Sequence, residues 1–130
     1  MFVDSFAFVA MMTGEGDTEQ LTARLERARK PVTSSIVAFE TVLALSRIYG
    51  IPKESAQVLF LEFVKAARVE MVSIGPEMHL LALNAHQLYG KGTGHPAQLN
   101  MGDCFSYAMA KSTSGELLYK GSDFRHTDLG

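Results

Sequence analysis

The sequence predicts an α/β fold in which helices cover a mostly parallel sheet. Three observations carry this expectation. Short apolar runs with strand character alternate with stretches of helical period along the chain. Glycine and proline punctuate the joints, at Gly14, Pro31, Gly50-Ile51-Pro52, Gly75-Pro76 and Gly90. Four acids, Asp4, Glu40, Asp103 and Asp123, stand at the start, the end or one face of such elements rather than in polar loops.

Met1 to Val3 reads as a short buried strand closed by Asp4, and Phe6 to Met12 as a short helix ended by Gly14. Asp17 with Gln20 three residues later resembles a capping box. Leu21, Leu25 and Ala28 then mark one face of a helix, with Arg24, Arg27, Arg29 and Lys30 toward its favourable C-terminal end, before Pro31 stops it. Val32 and Thr33 make a brief second strand. Ser34 or Ser35 caps the next helix, with Ile36, Phe39, Leu43 and Ile48 as its apolar set up to Gly50. Pro52 suits the first turn of a further helix, in which Ala56, Leu59, Phe60, Phe63 and Ala67 recur at helical spacing up to about Val69.

Met71 to Ile74 reads as a third strand, closed by Gly75-Pro76, and Met78, Leu81, Ala82, Ala85 and Leu88 mark a helix ending at Tyr89-Gly90. The segment from Gly90 to Leu99, with Gly92, Gly94 and Pro96, has the composition of a mobile loop. Asn100 caps the helix from Gly102 to Lys111, whose Cys104, Phe105, Ala108 and Met109 face inward, and Leu117 to Tyr119 forms a fourth strand.

With 130 residues, 47% hydrophobic and 20% charged, the chain has core enough for one compact domain over residues 1–130, and a second domain is not expected. A net charge of −2 excludes the broad basic footprint of a protein that holds nucleic acid by charge alone. The single cysteine, Cys104, excludes an internal disulfide and fits a reducing compartment, so a cytoplasmic place is expected. The stretch from Phe2 to Met12 lacks a basic lead and is broken by Asp4, unlike a signal peptide. No apolar run approaches the roughly 20 residues of a membrane span, so no membrane association is expected.

In open parallel sheets, ligand sites form where strand carboxyl ends face helix termini, and Asp4, Asp103 and Asp123 all fall on that edge. A shared acidic pocket suits Mg²⁺, which takes oxygen ligands, keeps several waters and is commonly held by one or two carboxylates. Asp4 and Asp103 are the expected direct ligands. Glu40 and Asp123 complete the pocket, as further ligands or by orienting waters around the ion. Each acid also has an ordinary reading: Asp4 as a helix cap, Glu40 as a solvated helix residue, Asp103 as a first-turn acid favoured by about 0.3 to 1 kcal/mol, and Asp123 as a turn former. Their coincidence favours the site.

The residues Met1-Phe2-Val3-Asp4-Ser5, Glu40 in a helix with a Ser-rich start, His95-Pro96-Ala97 before Leu99-Asn100-Met101-Gly102-Asp103-Cys104, Tyr107-Ala108-Met109-Ala110, and Lys120-Gly121-Ser122-Asp123-Phe124 with Thr127-Asp128 together resemble the VapC-type PIN-domain ribonuclease toxins. The resemblance runs over essentially the whole chain. It implies a three-layer α/β/α PIN-like fold with a mostly parallel sheet of four to five strands. It also implies a divalent-metal-dependent endoribonuclease of a type II toxin–antitoxin pair, using Mg²⁺ or Mn²⁺, neutralised by a cognate VapB-like antitoxin and prone to form a homodimer. RNA as substrate comes from the resemblance.

Two departures stand out. Family members usually carry a hydroxyl residue two positions after the first aspartate, where this chain has Phe6 and keeps only Ser5. Some place the fourth acid at the position of Gly121, so Asp123, or else Asp128, has to supply it here. These departures keep a second reading open, a catalytically silent PIN-like module that binds RNA or protein. A receiver-like domain would need a phosphorylatable Asp after its third strand, where this chain has Gly75-Pro76.

Other features carry less. His79 and His86, seven residues apart, lie roughly 10 Å apart along a helix and do not share an ion easily. His95 and His126 read as surface residues, Cys104 as a buried, inert thiol, and Gly90-Lys91-Gly92-Thr93-Gly94 lacks the spacing of a phosphate-binding loop. Arg24, Arg27, Arg29 and Lys30, with Lys91, Lys120 and Arg125, are candidate phosphate contacts or simply solvated charge. Leu59, Phe60 and Phe63 are read as core on one side and partner surface on the other.

Overall fold

The computed structural model describes residues 1–130. Its strands are β1 (Phe2–Val3), β2 (Val32–Thr33), β3 (Glu70–Met71) and β4 (Leu117–Leu118), joined in the order β3-β2-β1-β4 with every neighbouring pair parallel. Phe2 pairs with Val32 on one side and Leu117 on the other, so β1 is central. Phe2 and Val3 are both fully buried, as a strand covered on both faces requires.

Helices α1 (Ser5–Thr13), α2 (Thr18–Arg27), α3 (Ser35–Tyr49), α4 (Lys53–Ala66), α5 (Met78–Tyr89) and α6 (Met101–Thr113) flank the sheet in a three-layer arrangement, and a short 3₁₀ turn, Phe124–His126, follows β4. The sheet has four strands and no fifth; outside it lies only an isolated bridge between Gly90 and Leu99. β3 begins a residue earlier than Met71 and ends there, because its single neighbour, β2, offers only two residues to pair with.

Several helices bury a different face from the one hydropathy selects. α3 buries Val37, Thr41 and Leu45 and leaves Phe39 65% exposed, with Ile48 also exposed. A buried threonine is acceptable there because its hydroxyl donates to the Val37 carbonyl at 2.8 Å. α5 buries Ala82 and Ala85, whose small side chains let it lie close against α6, and exposes Leu80, Leu81, Leu83 and Leu88. α4 buries Ala56, Phe60 and Val64, with Leu59 exposed. Phe8 meets Phe60 and Phe63 edge-on at ring separations of 5.2 and 6.0 Å and ties α1 to α4.

Two other expectations change. Asp17 stands at the N-cap of α2, but its side chain makes no capping bond, so no box forms with Gln20. The 90–99 segment is tied rather than loose: Leu99 donates to Tyr89 and Lys91 to Leu99, both at 2.9 Å, and Ala97 and Leu99 are fully buried. Gly90 is required there, since a Cβ would fall 2.4 Å from the His86 carbonyl oxygen. No single helix is long and apolar enough to cross a membrane.

Candidate metal centre

Asp4 leaves the carboxyl end of β1 and caps α1. One carboxylate oxygen, Oδ2, accepts from the Phe6 backbone N–H at 3.4 Å, and Oδ1 accepts from the Ser106 hydroxyl at 2.7 Å. The capping role is therefore real, yet Asp4 is only 1% exposed and carries far more burial than a cap needs. Burial pushes its carboxyl above the ordinary range. The Ser106 bond and the N–H groups of Phe6 and Ser5 oppose that shift, and the charge of Asp123 adds to it.

Asp103 occupies the third position of α6 in a reciprocal capping box. Its backbone N–H donates to Asn100 Oδ1 at 2.9 Å, and its Oδ2 accepts from the Asn100 N–H at 3.1 Å. The box uses one carboxylate oxygen and leaves Oδ1 outside it. Burial raises this group from the ordinary 3.8 to about 7; the Asn100 bond lowers it, and the charges of Asp4, Asp123 and Glu40 raise it.

Glu40 projects from α3 against the backbone of Gly102, the residue before Asp103. A Cβ on Gly102 would lie 2.3 Å from Glu40 Oε2, so only glycine admits the carboxylate at that place. Oε1 of Glu40 is buried and has no hydrogen-bond partner. Burial and then the charge of Asp4 raise its carboxyl above the usual range, with the Ser5 hydroxyl opposing. A solvated helix residue would show none of this.

Asp123 is half-buried after β4, in a turn that starts at Lys120. With Asp103 it lines a cavity of about 320 Å³, together with Phe6, Lys120, Gly121, Ser122 and Phe124. Asp4 and Glu40 are not part of that wall. Gly121 has φ 97°, a backbone conformation that L side chains rarely adopt, which explains why this turn carries no acid there and offers Asp123 two residues later. Asp128 lies elsewhere: it accepts from the Tyr107 hydroxyl and from Lys111 Nζ at 2.8 Å, and these two donors hold its carboxyl below the ordinary range.

The fold therefore brings Asp4, Glu40, Asp103 and Asp123 within electrostatic reach of one another, and Asp128 stays outside. No salt bridge joins any of these four acids to a Lys or Arg. Such a cluster, with a buried oxygen lacking any partner, fits a divalent cation as its missing counter-charge. No three acidic, imidazole or thiol side chains converge closely enough to cage an ion unaided. That matches a hard cation which keeps its waters better than a closed structural site.

Sequence reasoning did not find Ser106 or Gly102. The signal for the first was Asp103-x-x-Ser106, one helical turn, which points the hydroxyl to the same side as the acid. Gly102 looked like a helix start. Arg24, Arg27, Arg29 and Lys30, candidate phosphate contacts or solvated charge, gather at the amino end of the strands, in a cleft with Met1, Ser114 and Glu116, across the sheet from the carboxylates. His79 and His86 line one groove with Cys104, away from the acidic cavity. Burial raises the Cys104 thiol to about 11, which agrees with an inert role.

A parallel sheet with carboxyls gathered at its carboxyl edge defines an α/β domain with an acidic centre. The PIN domain family model matches residues 1–129. A VapC ribonuclease of Rhizobium meliloti (strain 1021) is 41% identical over 140 residues, covering 99% of both chains. Ribonuclease VapC30 of Mycobacterium tuberculosis is 38% identical over 129 residues, covering 99% of this chain and 95% of its own length. The solved structure of VapC20 from Mycobacterium tuberculosis, described as a sarcin-ricin loop cleaving toxin, superposes with a TM-score of 0.71 at 19% identity, over 95% of this chain and 92% of its own, and shares the fold. The chain belongs to the PIN-domain family, among the VapC ribonuclease toxins.

Proposed function

We propose that residues 1–130 form a single domain that acts as a divalent-metal-dependent endoribonuclease, the toxin of a type II pair, with Asp4, Glu40, Asp103 and Asp123 as its working acids. The observation that carries this reading is the buried, mutually repelling carboxyl cluster with Glu40 Oε1 left without a partner. Asp4 and Asp103 would hold the ion, Mg²⁺ or Mn²⁺, and Ser106 holds Asp4 in position through its 2.7 Å bond. A bound ion supplies Lewis acidity, neutralising charge on the phosphoryl oxygens and making the attacking water more acidic. Glu40 Oε1 accepts a hydrogen from water entering the pocket, and its raised affinity for a proton suits that task. Asp123, on the cavity wall, would accept hydrogen bonds from water held at the ion. Lys120, on the same wall, contacts a substrate phosphate.

The natural partners in this reading are RNA, a VapB-like antitoxin and a second copy of the chain, in the cytoplasm. The exposed Phe39, Leu80, Leu83 and Met101 supply apolar surface for the protein partners. Incubating total RNA with the purified chain and Mg²⁺ or Mn²⁺, with EDTA, and with Asp4→Asn tests the reading. Cleavage that requires both the metal and Asp4 supports it; no cleavage in any condition would shift the assignment to a silent binding module.

A further inference from the structure

We propose that the basic cleft at the amino edge of the sheet is a second RNA-binding surface, which holds the strand several nucleotides away from the point of cleavage. The proposal rests on the nuclease reading above. Arg24, Arg27, Arg29 and Lys30 line a cavity of about 630 Å³ whose only acid is Glu116. All four are exposed, and none forms an ion pair, since Lys111 with Asp128 is the chain's one salt bridge. Arg27 spends only its Nε, on the Ala23 carbonyl at 3.2 Å. In a chain of net charge −2, four of 12 basic residues have thus been collected unpaired in one concavity.

α2 spans the distance from the rim of the acidic cavity to the cleft. Lys120 lines that cavity, and its Nζ lies 2.7 Å from where a Cβ on Gly16 would be, two residues before α2 begins. α2 then runs for 10 residues to Arg27 at the cleft. This is a rise of about 15 Å, or about four stacked nucleotides at roughly 3.4 Å each. A strand leaving the carboxylates past Lys120 therefore meets Arg24, then Arg27, Arg29 and Lys30. That continuity with the cleavage cavity, together with the guanidinium preference for phosphate, favours RNA over an acidic protein segment.

The test compares the chain with an Arg24→Gln/Arg27→Gln/Arg29→Gln/Lys30→Gln variant, and with Arg29→Glu/Lys30→Glu as a smaller change at exposed positions. Fluorescence anisotropy with labelled 6- and 20-nucleotide single-stranded RNA, in an Asp4→Asn background so the RNA stays whole, reads affinity from about 50 to 200 mM salt. The 20-mer is expected to bind about tenfold more weakly to the quadruple variant, with its salt slope reduced by about 2 to 3, near 0.7 per lost phosphate contact. The 6-mer, long enough to reach only the near end of the cleft, is expected to lose less affinity than the 20-mer. With Asp4 restored, kcat on the 6-mer stays the same and KM on the 20-mer rises. Equal 20-mer affinity and slope in all proteins overturn the proposal, and polyglutamate binding only to the unsubstituted cleft would then assign it to an acidic peptide. If no protein cuts RNA but the slope still falls, the nuclease reading fails and the cleft stands.

Discussion

Gly102→Ala separates the position of Glu40 from the stability of the fold. The added Cβ would sit 2.3 Å from Glu40 Oε2 and 2.9 Å from its Cδ, and ordinary contact at 3.4 Å requires the carboxylate to retreat by about 1.1 Å. The obstacle is the end of a flexible side chain, so Glu40 yields and the backbone stays. Removing a glycine from a helix favours folding by up to about 1 kcal/mol, and pushing Glu40 off its rotamer costs a similar ~0.5–1.5 kcal/mol. The melting temperature should move by no more than about 4 °C. Activity should suffer far more, because a displacement of about 1 Å in a working group lowers turnover by on the order of 100-fold, near 2.7 kcal/mol in the barrier. Single-turnover cleavage of a labelled RNA, alongside thermal melts, measures both. A folded Gly102→Ala protein within threefold of full activity would refute the placement of Glu40 in the machinery, and a protein that no longer folds would refute the argument that the side chain gives way.

Three further expectations follow from the same geometry. In EDTA, the folded chain holds the Asp103 proton up to about pH 7 while the unfolded chain releases it near 3.8, so stability falls as pH rises between these values and levels off above. The loss from Asp103 is at most about 4 kcal/mol, and Asp103→Asn, expected to abolish cleavage, should lessen the pH dependence of the melt, with the raised carboxyls of Asp4 and Glu40 supplying the remainder; an unchanged slope would remove Asp103 as a source. Mg²⁺ at ten times its Kd should stabilise the chain at pH 8 by about 1.4 kcal/mol, and a melting temperature indifferent to Mg²⁺ would contradict metal binding by the folded state. Cys104→Ser should keep cleavage within about twofold, with stability reduced by about 1–2 kcal/mol from the buried hydroxyl. Lost cleavage in a fully folded Cys104→Ser protein would show the thiol to be functional.

Three of the four strands were legible because Met1 to Val3, Val32-Thr33 and Leu117-Leu118 are short apolar runs bounded by turn residues, as parallel strands buried on both faces require, whereas β3, exposed at the sheet's edge, shares only Met71 with the run expected to form it. The helices were legible in their extents, and the buried faces of α2 and α6 were legible too, but those of α3 and α5 only in part. α3 and α5 each offer apolar residues on more than one side, so periodicity found Ala82 and Ala85 but could not tell that Phe39, Leu81 and Leu88 stay outside while Thr41 goes in. Close approach of α5 to α6 selected the alanines, and a local bond to Val37 satisfied the threonine. The basic residues of α2 were legible as a cluster, but their edge of the sheet was not.

The sequence by itself determined the α/β class, a serine cap before α3, the Asn100 cap, the burial of Cys104 and the placement of Asp4, Glu40 and Asp103 on structural elements, because these depend on local propensity and on residue chemistry. Tertiary structure alone decided that Ser106 grips Asp4, that Gly102 makes room for Glu40, and that Asp128 leaves the set for Lys111 and Tyr107. It also put the α2 cations on the far edge from the carboxylates. Each of these joins residues from different elements, and their separation is fixed by how α6 crosses the sheet and by which end of each strand a loop leaves. One-dimensional spacing contains neither.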